Sequence, residues 1–461
     1  MLNYFNFRKI KDRYLITNDL GYYHFLDDND FDDLIEGQLK QGTKAYEDLK
    51  NKFFIYEDDV HIFANETGQK LRNYKGHLFL PPTLHIFVVT KRCNQKCIYC
   101  QASAEDDHKF DMNEETAKRA VDISLMSPGN NLTFEFQGGE PLMNFKIIQY
   151  IVNYTNSKKG DKEVSFTIVS NLVNLTDDII EFIKGNHISI STSLDGAEKL
   201  HNMNRPIPGV NPLGVLLNKI ELLKSKSIFV SALQTTTRYS LPYSKEIVDQ
   251  YLKLDMRTIF IRPLTPLGYA KSNWDKIGYT AQEFLEFYRR SFDYIIECNR
   301  EGRYITEGHA SIFLSKVLGR KSLNYMELRS PCGGALGQIA YYYDGDIFSC
   351  DEARMLSEMG DNSFKLGNVY ISSYKQLMDN PACKLIGVSS CLESIPMCSE
   401  CVFQPYCGTC PVANWAEYGT VYPQMKTSYR CQIYKGIQEI LFEKIYNADE
   451  EIMQILNSMV Q

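Results

Sequence analysis

Lys91-Arg92-Cys93-Asn94-Gln95-Lys96-Cys97-Ile98-Tyr99-Cys100-Gln101 is the stretch whose reading decides the fold. Its three cysteines are spaced C-x3-C-x2-C, with Tyr99 before the last. A cubane iron–sulfur cluster has four irons and takes four ligands. Three thiolates therefore leave one iron open to another molecule. The plainer alternative is a zinc knuckle or a group of buried cysteines. Zinc sites are ordinarily built from two Cys/His pairs, and no fourth ligand lies within the stretch.

The whole chain sets the context. Its 461 residues are long for one core, so two or three domains are expected. An apolar content of 44% with 23% charged residues is that of a soluble globular protein. A net charge of −7 argues against nucleic acid as a partner. The start, Met1 to Lys9, lacks the apolar core of a signal peptide. No apolar run approaches the ~20 residues of a membrane span. The expectation is a cytoplasmic protein with no membrane partner. Disulfides are rare in that compartment, so 13 cysteines point to metal. Apart from the opening three, most fall between Cys332 and Cys431.

Working outward, residues 1–80 read as a small α+β unit. Short β-branched and aromatic runs at Phe7–Ile10, Tyr14–Thr17 and Tyr22–Leu26 are followed by helical spacing over Asp30–Leu39 and Ala45–Phe54. Leu71–Pro82 reads as a linker. From Leu84, strands and helices alternate. Six strands are expected at Leu84–Thr90, Asn131–Gln137, Val164–Ser170, Ile188–Leu194, Ile228–Thr236 and Thr258–Leu264. Amphipathic helices lie between them. Six such units predict an α/β fold, an open (β/α)6 partial barrel over residues 81–279, with chemistry at the C-terminal strand ends. Residues 280–330 read as a bridging helical segment, residues 331–435 as a cysteine-bearing domain, and residues 436–461 as a C-terminal helix.

Gly138-Gly139-Glu140-Pro141 follows the second strand. Glycines there let backbone groups approach a ligand closely. With C-x3-C-x2-C one βα unit earlier, this resembles the radical S-adenosylmethionine (SAM) superfamily. The resemblance implies that Cys93, Cys97 and Cys100 hold a [4Fe-4S] cluster whose open iron binds SAM. It further implies SAM contacts from Gly138, Gly139 and Glu140, with Tyr99 near the adenine. Other strand ends offer Ser170, Asn171 and Ser193, and the Ser193-Leu194-Asp195-Gly196 segment is followed by His201 and Arg205. In relatives such positions contact the SAM ribose and carboxylate, and Arg205 suits a carboxylate because its fork is planar and always charged.

The second cysteine group runs Cys332, Gly345-x4-Cys350, Cys398-x2-Cys401-x5-Cys407-x2-Cys410 and Cys431. It resembles the SPASM domain of peptide-modifying radical SAM enzymes. The resemblance implies two auxiliary [4Fe-4S] clusters, one on Cys398, Cys401, Cys407 and Cys431, the other on Cys332, Cys350 and Cys410, making three clusters in all. The second auxiliary set lacks an obvious fourth ligand. Cys383, Cys391, the substrate or a non-cysteine group are the alternatives. A zinc ribbon is the rival reading of the paired CxxC motifs. Asp351, directly after Cys350, matches a candidate base in sulfatase-maturing relatives, and a hydrogen bond to a cluster cysteine is the alternative role.

The Phe87–Asn94 strand and loop, the Glu135–Leu142 segment and the small N-terminal unit together resemble the His-Xaa-Ser system radical SAM maturase (HxsB type). The function implied is reductive cleavage of SAM to a 5′-deoxyadenosyl radical, which abstracts hydrogen from a ribosomally made peptide to install a crosslink or similar modification. The partners implied are a peptide or protein substrate, held through a leader peptide at the N-terminal unit, and an external one-electron donor of flavodoxin or ferredoxin type. Two alternatives stand beside it. One is a sulfatase-maturing enzyme forming formylglycine. The other is a zinc-stabilised, non-enzymatic peptide-binding protein.

Overall fold

The computed structural model describes all residues except Asp58, Ser103, Asp106 and Asn324. At the N-terminus, β1 (Asn6–Ile10), β2 (Arg13–Thr17) and β3 (Tyr23–Leu26) form an antiparallel sheet in the order β1-β2-β3. Helices at Asp28–Glu36, Lys44–Asn51 and Val60–Tyr74 follow. The first is capped by the Asp27 carboxylate, which accepts the Asp30 N–H, and ends at Gly37 in the left-handed conformation. The linker expected over Leu71–Pro82 is shorter in the structure, because helix Val60–Tyr74 runs through residues 71–74 and a 3-10 turn follows at Gly76–Phe79. A separate apolar cluster, including Ile16, Phe31, Leu49 and Phe54, gives this unit its own core.

The second sheet has ten strands. Six are those expected: β4 (Leu84–Thr90), β5 (Asn131–Gly138), β6 (Glu163–Val169), β7 (Ser189–Ser193), β8 (Val230–Thr235) and β9 (Thr258–Arg262). All pair in parallel and in chain order, which is the arrangement right-handed βα units produce. A period of two decides what each face carries. On β5, Leu132, Phe134 and Phe136 are buried, while Thr133, Glu135 and Gln137 point to the other face. Phe87, Phe134, Phe136 and Phe166 pack ring against ring behind the sheet. Truncating one such buried ring costs about 3–5 kcal/mol.

Four more strands extend this sheet. β10 (Thr306–Glu307) pairs in parallel with β9. At the opposite edge β11 (Gln338–Tyr341) pairs in parallel with β4, and β12 (Asp346–Phe348) and β13 (Lys365–Asn368) continue antiparallel. The cysteine-rich C-terminal half is thus a continuation of the barrel's own sheet. Helix Ala281–Arg300 starts in a capping box, Thr280 accepting the Glu283 N–H and Glu283 accepting the Thr280 N–H. It buries Phe284, Phe287, Tyr288, Phe292 and Ile295 on one face, against helices Ser244–Lys253 and Tyr429–Tyr446. The latter helix runs across the boundary expected at residue 435 and carries Cys431.

The N-terminal unit docks on the cysteine-rich half. Thr17 Oγ1 donates to the Val402 carbonyl at 2.7 Å, and Tyr74 Oη to that of Pro405 at 3.0 Å. Asn6 Nδ2 reaches the Ser399 and Cys401 carbonyls at 3.1 and 3.3 Å.

Candidate functional site

The inward-facing strand residues line a cavity of about 460 Å³. Glu135 and Gln137 come from β5, Ser191 and Ser193 from β7, Leu233 and Thr235 from β8, Arg262 from β9. Cys93, Cys97, Cys100 and Tyr99 border it, with Gly138, Gly139, Ser170, Asn171 and Arg205. Its other wall is Gln338, Asp351, Glu352 and Arg354, from the C-terminal half. Apart from Glu140, the barrel's expected site residues thus border one cavity, and the Asp351 wall closes over them.

The glycine turn is built onto the cysteine loop. Gly139 N–H donates to the Thr90 carbonyl at 3.0 Å and Glu140 N–H to that of Arg92 at 2.7 Å. A Cβ at Gly138 would stand 2.2 Å from the Thr90 oxygen, and one at Gly139 2.4 Å from the Lys91 and Arg92 oxygens. Only glycine fits at either position. Glu140 takes a different part from the one expected. Its side chain is absent from the cavity lining, and its buried carboxylate accepts hydrogen bonds from Ser170 Oγ (2.8 Å), the Asn171 N–H (2.7 Å) and the Leu142 N–H (2.9 Å). It therefore ties the ends of β5 and β6 together rather than facing a ligand, and Ser170's hydroxyl is spent on it. Burial raises the Glu140 pKa to about 7.

The thiols accept donors from around them. Gln95 N–H points at Cys93 Sγ (3.4 Å), Asn171 Nδ2 at Cys93 Sγ (3.9 Å) and Arg205 Nη1 at Cys97 Sγ (3.7 Å). Burial pushes the Cys97 thiol up to about 11 and that of Cys93 higher still. A metal must displace these protons, so binding releases them.

Sequence reasoning missed the hub of this end of the cavity, Asp195. Fully buried, it accepts Tyr99 Oη (2.7 Å), Arg205 Nε (3.2 Å) and the Thr235 N–H (3.3 Å). The Arg205 guanidinium also lies over the Tyr99 ring at 5.1 Å. Tyr99 and Arg205 are thereby locked in place beside Cys97. His201 Nδ1 accepts the Asp195 backbone N–H at 3.3 Å, and burial lowers its pKa to about 4, so the ring is neutral.

Across the cavity, buried Arg354 holds the Asp351 carboxylate through Nε (3.1 Å) and Nη2 (2.5 Å). Glu135 is a second acid there, its pKa raised by burial and by the nearby Asp351 charge. The alternation on β5 was the signal that would have found it. Lys91 Nζ, in the cysteine loop, bridges to Glu358 Oε2 at 2.5 Å, joining the two walls through a buried ion pair.

The second cysteine group separates into two sets in space. Cys332, Cys350 and Cys410 are buried together in one apolar cluster. Each sulfur accepts one backbone N–H, from Gly334 (3.5 Å), Ala353 (3.4 Å) and Ala413 (3.4 Å). Cys398, Cys407 and Cys431 pack against Leu392, Ile395 and Met425, and Cys401, at the edge of the main core, is an electrostatic neighbour of each. Buried Lys316 donates to the Leu328 and Tyr406 carbonyls next to Cys407. Among the described residues, no three His, Cys, Asp or Glu side chains converge closely enough to share one metal ion. A cubane takes one thiolate at each iron corner, so its ligands stand further apart than those of a single ion.

Residues 87–255 match the radical SAM superfamily. A cysteine-type anaerobic sulfatase-maturating enzyme of Clostridium perfringens is 23% identical over 390 residues, covering 81% of this chain and 100% of that protein. Among solved structures, native anSMEcpe with bound AdoMet and the Kp18Cys peptide superposes with a TM-score of 0.70 at 19% identity, over 82% of this chain and 100% of that one. SuiB of Streptococcus suis bound to its precursor peptide SuiA superposes with a TM-score of 0.55 at 17% identity, over 91% and 96%. The partial barrel agrees with these folds. A domain of this kind implies a [4Fe-4S] cluster and SAM, and it removes the reading of a non-enzymatic zinc-stabilised protein. Built on a parallel partial barrel whose cysteine loop and glycine turn are hydrogen-bonded to each other, residues 87–255 form a domain of the radical SAM superfamily.

Proposed function

We propose that this enzyme abstracts hydrogen from a ribosomally made peptide and installs a crosslink or similar bond in it. The observation that carries this reading is the single cavity bounded by Cys93, Cys97 and Cys100 at one end and by Asp351 and Arg354 at the other. A substrate there lies between the radical-generating end and the second cysteine group. The peptide-bound structures of anSMEcpe and SuiB support a peptide partner.

When bound at the cysteine loop and reduced by one electron, the cluster and SAM supply the hydrogen-abstracting radical. The chain's own residues hold and orient. Cys93, Cys97 and Cys100 are the cluster ligands. Gly138 and Gly139 present backbone to the SAM amino group. Tyr99 and Arg205, fixed by Asp195, border the nucleoside and carboxylate, with Asn171 and Ser193 beside them. Glu140 and Ser170 act through position. Cys398, Cys401, Cys407 and Cys431 form one auxiliary set, and Cys332, Cys350 and Cys410 the other. Asp351 is the proposed base, oriented by Arg354, with Glu135 nearby. The electron comes from a flavodoxin- or ferredoxin-type donor.

A leader peptide pairs along an edge of the N-terminal sheet, where β1 and β3 each have β2 as their one strand partner. That order of elements favours the His-Xaa-Ser type among the peptide-modifying enzymes. A sulfatase-maturing activity is the second reading, favoured by the match over the full length of the sulfatase-maturating enzyme. Co-expression with candidate peptides and with a sulfatase, followed by intact-mass measurement, separates the two. Loss of two hydrogens per crosslink supports the first. Formylglycine at a sulfatase cysteine or serine, with peptides unchanged, overturns it.

A further inference from the structure

We propose that Lys316 is the counter-charge of the auxiliary cluster on Cys398, Cys401, Cys407 and Cys431, and that it raises the reduction potential of that cluster. This rests on the reading that those four cysteines hold a cluster.

Lys316 lies near the end of helix Gly308–Val317, every residue of which is buried, and is itself only 5% exposed. Its ammonium donates to two backbone carbonyls, that of Leu328 and, at 2.9 Å, that of Tyr406. The second carbonyl belongs to the peptide bond joining Tyr406 to Cys407, so a hydrogen bond ties the cation to the backbone of a cluster ligand. Lys316 and Cys407 also line the same small cavity, between the N-terminal unit and the cysteine-rich half.

No acid completes this site. Besides Lys316 the cavity lining carries Lys75, Lys321 and Arg329 and, among the described residues, no Asp or Glu. Among the described residues Lys316 forms no ion pair, and the charged groups acting on it are Cys407 and Arg329. Glu393, which accepts the hydroxyl of the lining residue Ser330, is already paired with Lys75. In a chain of net charge −7, four cations around one cavity with no acid among them are out of the ordinary.

A buried ammonium without a counter-ion is costly, and two neutral carbonyls hydrogen-bond it without cancelling its charge. A neutral side chain could anchor the same two carbonyls at lower cost. A cubane held by four thiolates is an anion, and gaining an electron makes it more negative. A cation fixed beside one of its ligands, away from water, therefore stabilises the reduced state more than the oxidised one. Lys321 lines the same cavity but is exposed, so solvent screens it.

The test uses the full chain with Cys93, Cys97 and Cys100 changed to Ala, reconstituted anaerobically, so that the auxiliary clusters alone contribute. Midpoint potentials are read by redox titration and electron paramagnetic resonance in this parent and in its Lys316→Gln, Lys316→Arg and Lys321→Gln variants. The titration is run near neutral pH, where the ammonium is charged, since burial lowers its pKa only to about 8. Changing Cys398 and Cys401 together to Ala shows which midpoint belongs to the set beside Lys316. The expected result is that this midpoint falls in Lys316→Gln, with a roughly tenfold change in the ratio of reduced to oxidised cluster, about 59 mV for one electron. It returns to the parent value in Lys316→Arg and stays in place in Lys321→Gln, and the other midpoint moves in none of them. An unmoved midpoint in Lys316→Gln overturns the inference. So does a fall that Lys316→Arg does not reverse, that Lys321→Gln matches, or that the other cluster shares. If Lys316→Gln assembles without this cluster, retention in Lys316→Arg supports the counter-charge and loss in both overturns it. An iron content that the Cys398 and Cys401 changes leave as it was, in place of a fall by about four irons, means that this set holds no cluster. That result overturns the reading beneath the inference as well, whereas an unmoved midpoint in a protein that does lose those irons overturns the inference alone.

Discussion

Two cysteine sites stand at opposite walls of the cavity, one bordering it and the other behind Asp351 and Arg354, and they are built differently. Cys93, Cys97 and Cys100 sit half-exposed on a loop, whereas Cys332, Cys350 and Cys410 are buried. Around the loop the donors include side chains, Asn171 and Arg205, while the three buried sulfurs each take a backbone N–H. Under the proposed function the difference follows from use. A site that exchanges a cosubstrate must be open on one side, and its surroundings must be oriented by a polar scaffold such as Asp195. An auxiliary site proposed to carry electrons gains from burial and from rigid backbone donors, which tune its potential.

The comparison can be broken in graded steps. The largest effect is expected from changing Cys93, Cys97 and Cys100 to Ala. SAM cleavage, read as 5′-deoxyadenosine by mass spectrometry, should fall to background while the auxiliary absorption stays. Next is Arg205→Met, which leaves Asp195 buried and short of its cation. Removing one partner of such a pair costs about 3–5 kcal/mol, measured as denaturant stability of the reconstituted protein, with SAM affinity reduced as well.

Glu140→Gln follows, and its effect depends on pH. The folded carboxyl titrates near 7, above its unfolded value, so the folded state binds the extra proton. Stability from this group is therefore highest below about pH 4.5 and declines as pH rises toward 7, by roughly 3 kcal/mol in all. Glu140→Gln should flatten that slope in thermal melts between pH 4.5 and 7. An unchanged slope would remove Glu140 from the account of how the glycine turn is held. The smallest effect is expected from Thr17→Val, which loses the hydrogen bond to the Val402 carbonyl. It should cost about 1 kcal/mol, leave SAM cleavage intact and reduce peptide modification.

The six barrel strands were legible because their apolar runs and intervening helices are long and periodic. β11 to β13 were not. They have four, three and four residues, and β11 pairs with β4 some 250 positions earlier in the chain, a partnership no local pattern announces. The two cysteine groups stood out because of their spacing, whereas their division into ligand sets came from the resemblance to the SPASM domain. Asp195 was quoted as part of a segment, but its role was hidden, since a loop aspartate ordinarily reads as turn chemistry. Glu140 misled in the other direction. The motif draws attention to it, yet its side chain serves the backbone of two strand ends.

The central claim is that a peptide in the shared cavity gives up a hydrogen to the radical formed at the cysteine loop. The most direct measurement uses a uniformly deuterated substrate peptide with the reduced, reconstituted enzyme and SAM, followed by mass spectrometry of the 5′-deoxyadenosine. The account predicts deuterium in the recovered 5′-deoxyadenosine, in step with the modified peptide. Modified peptide accompanied by unlabelled 5′-deoxyadenosine would contradict it.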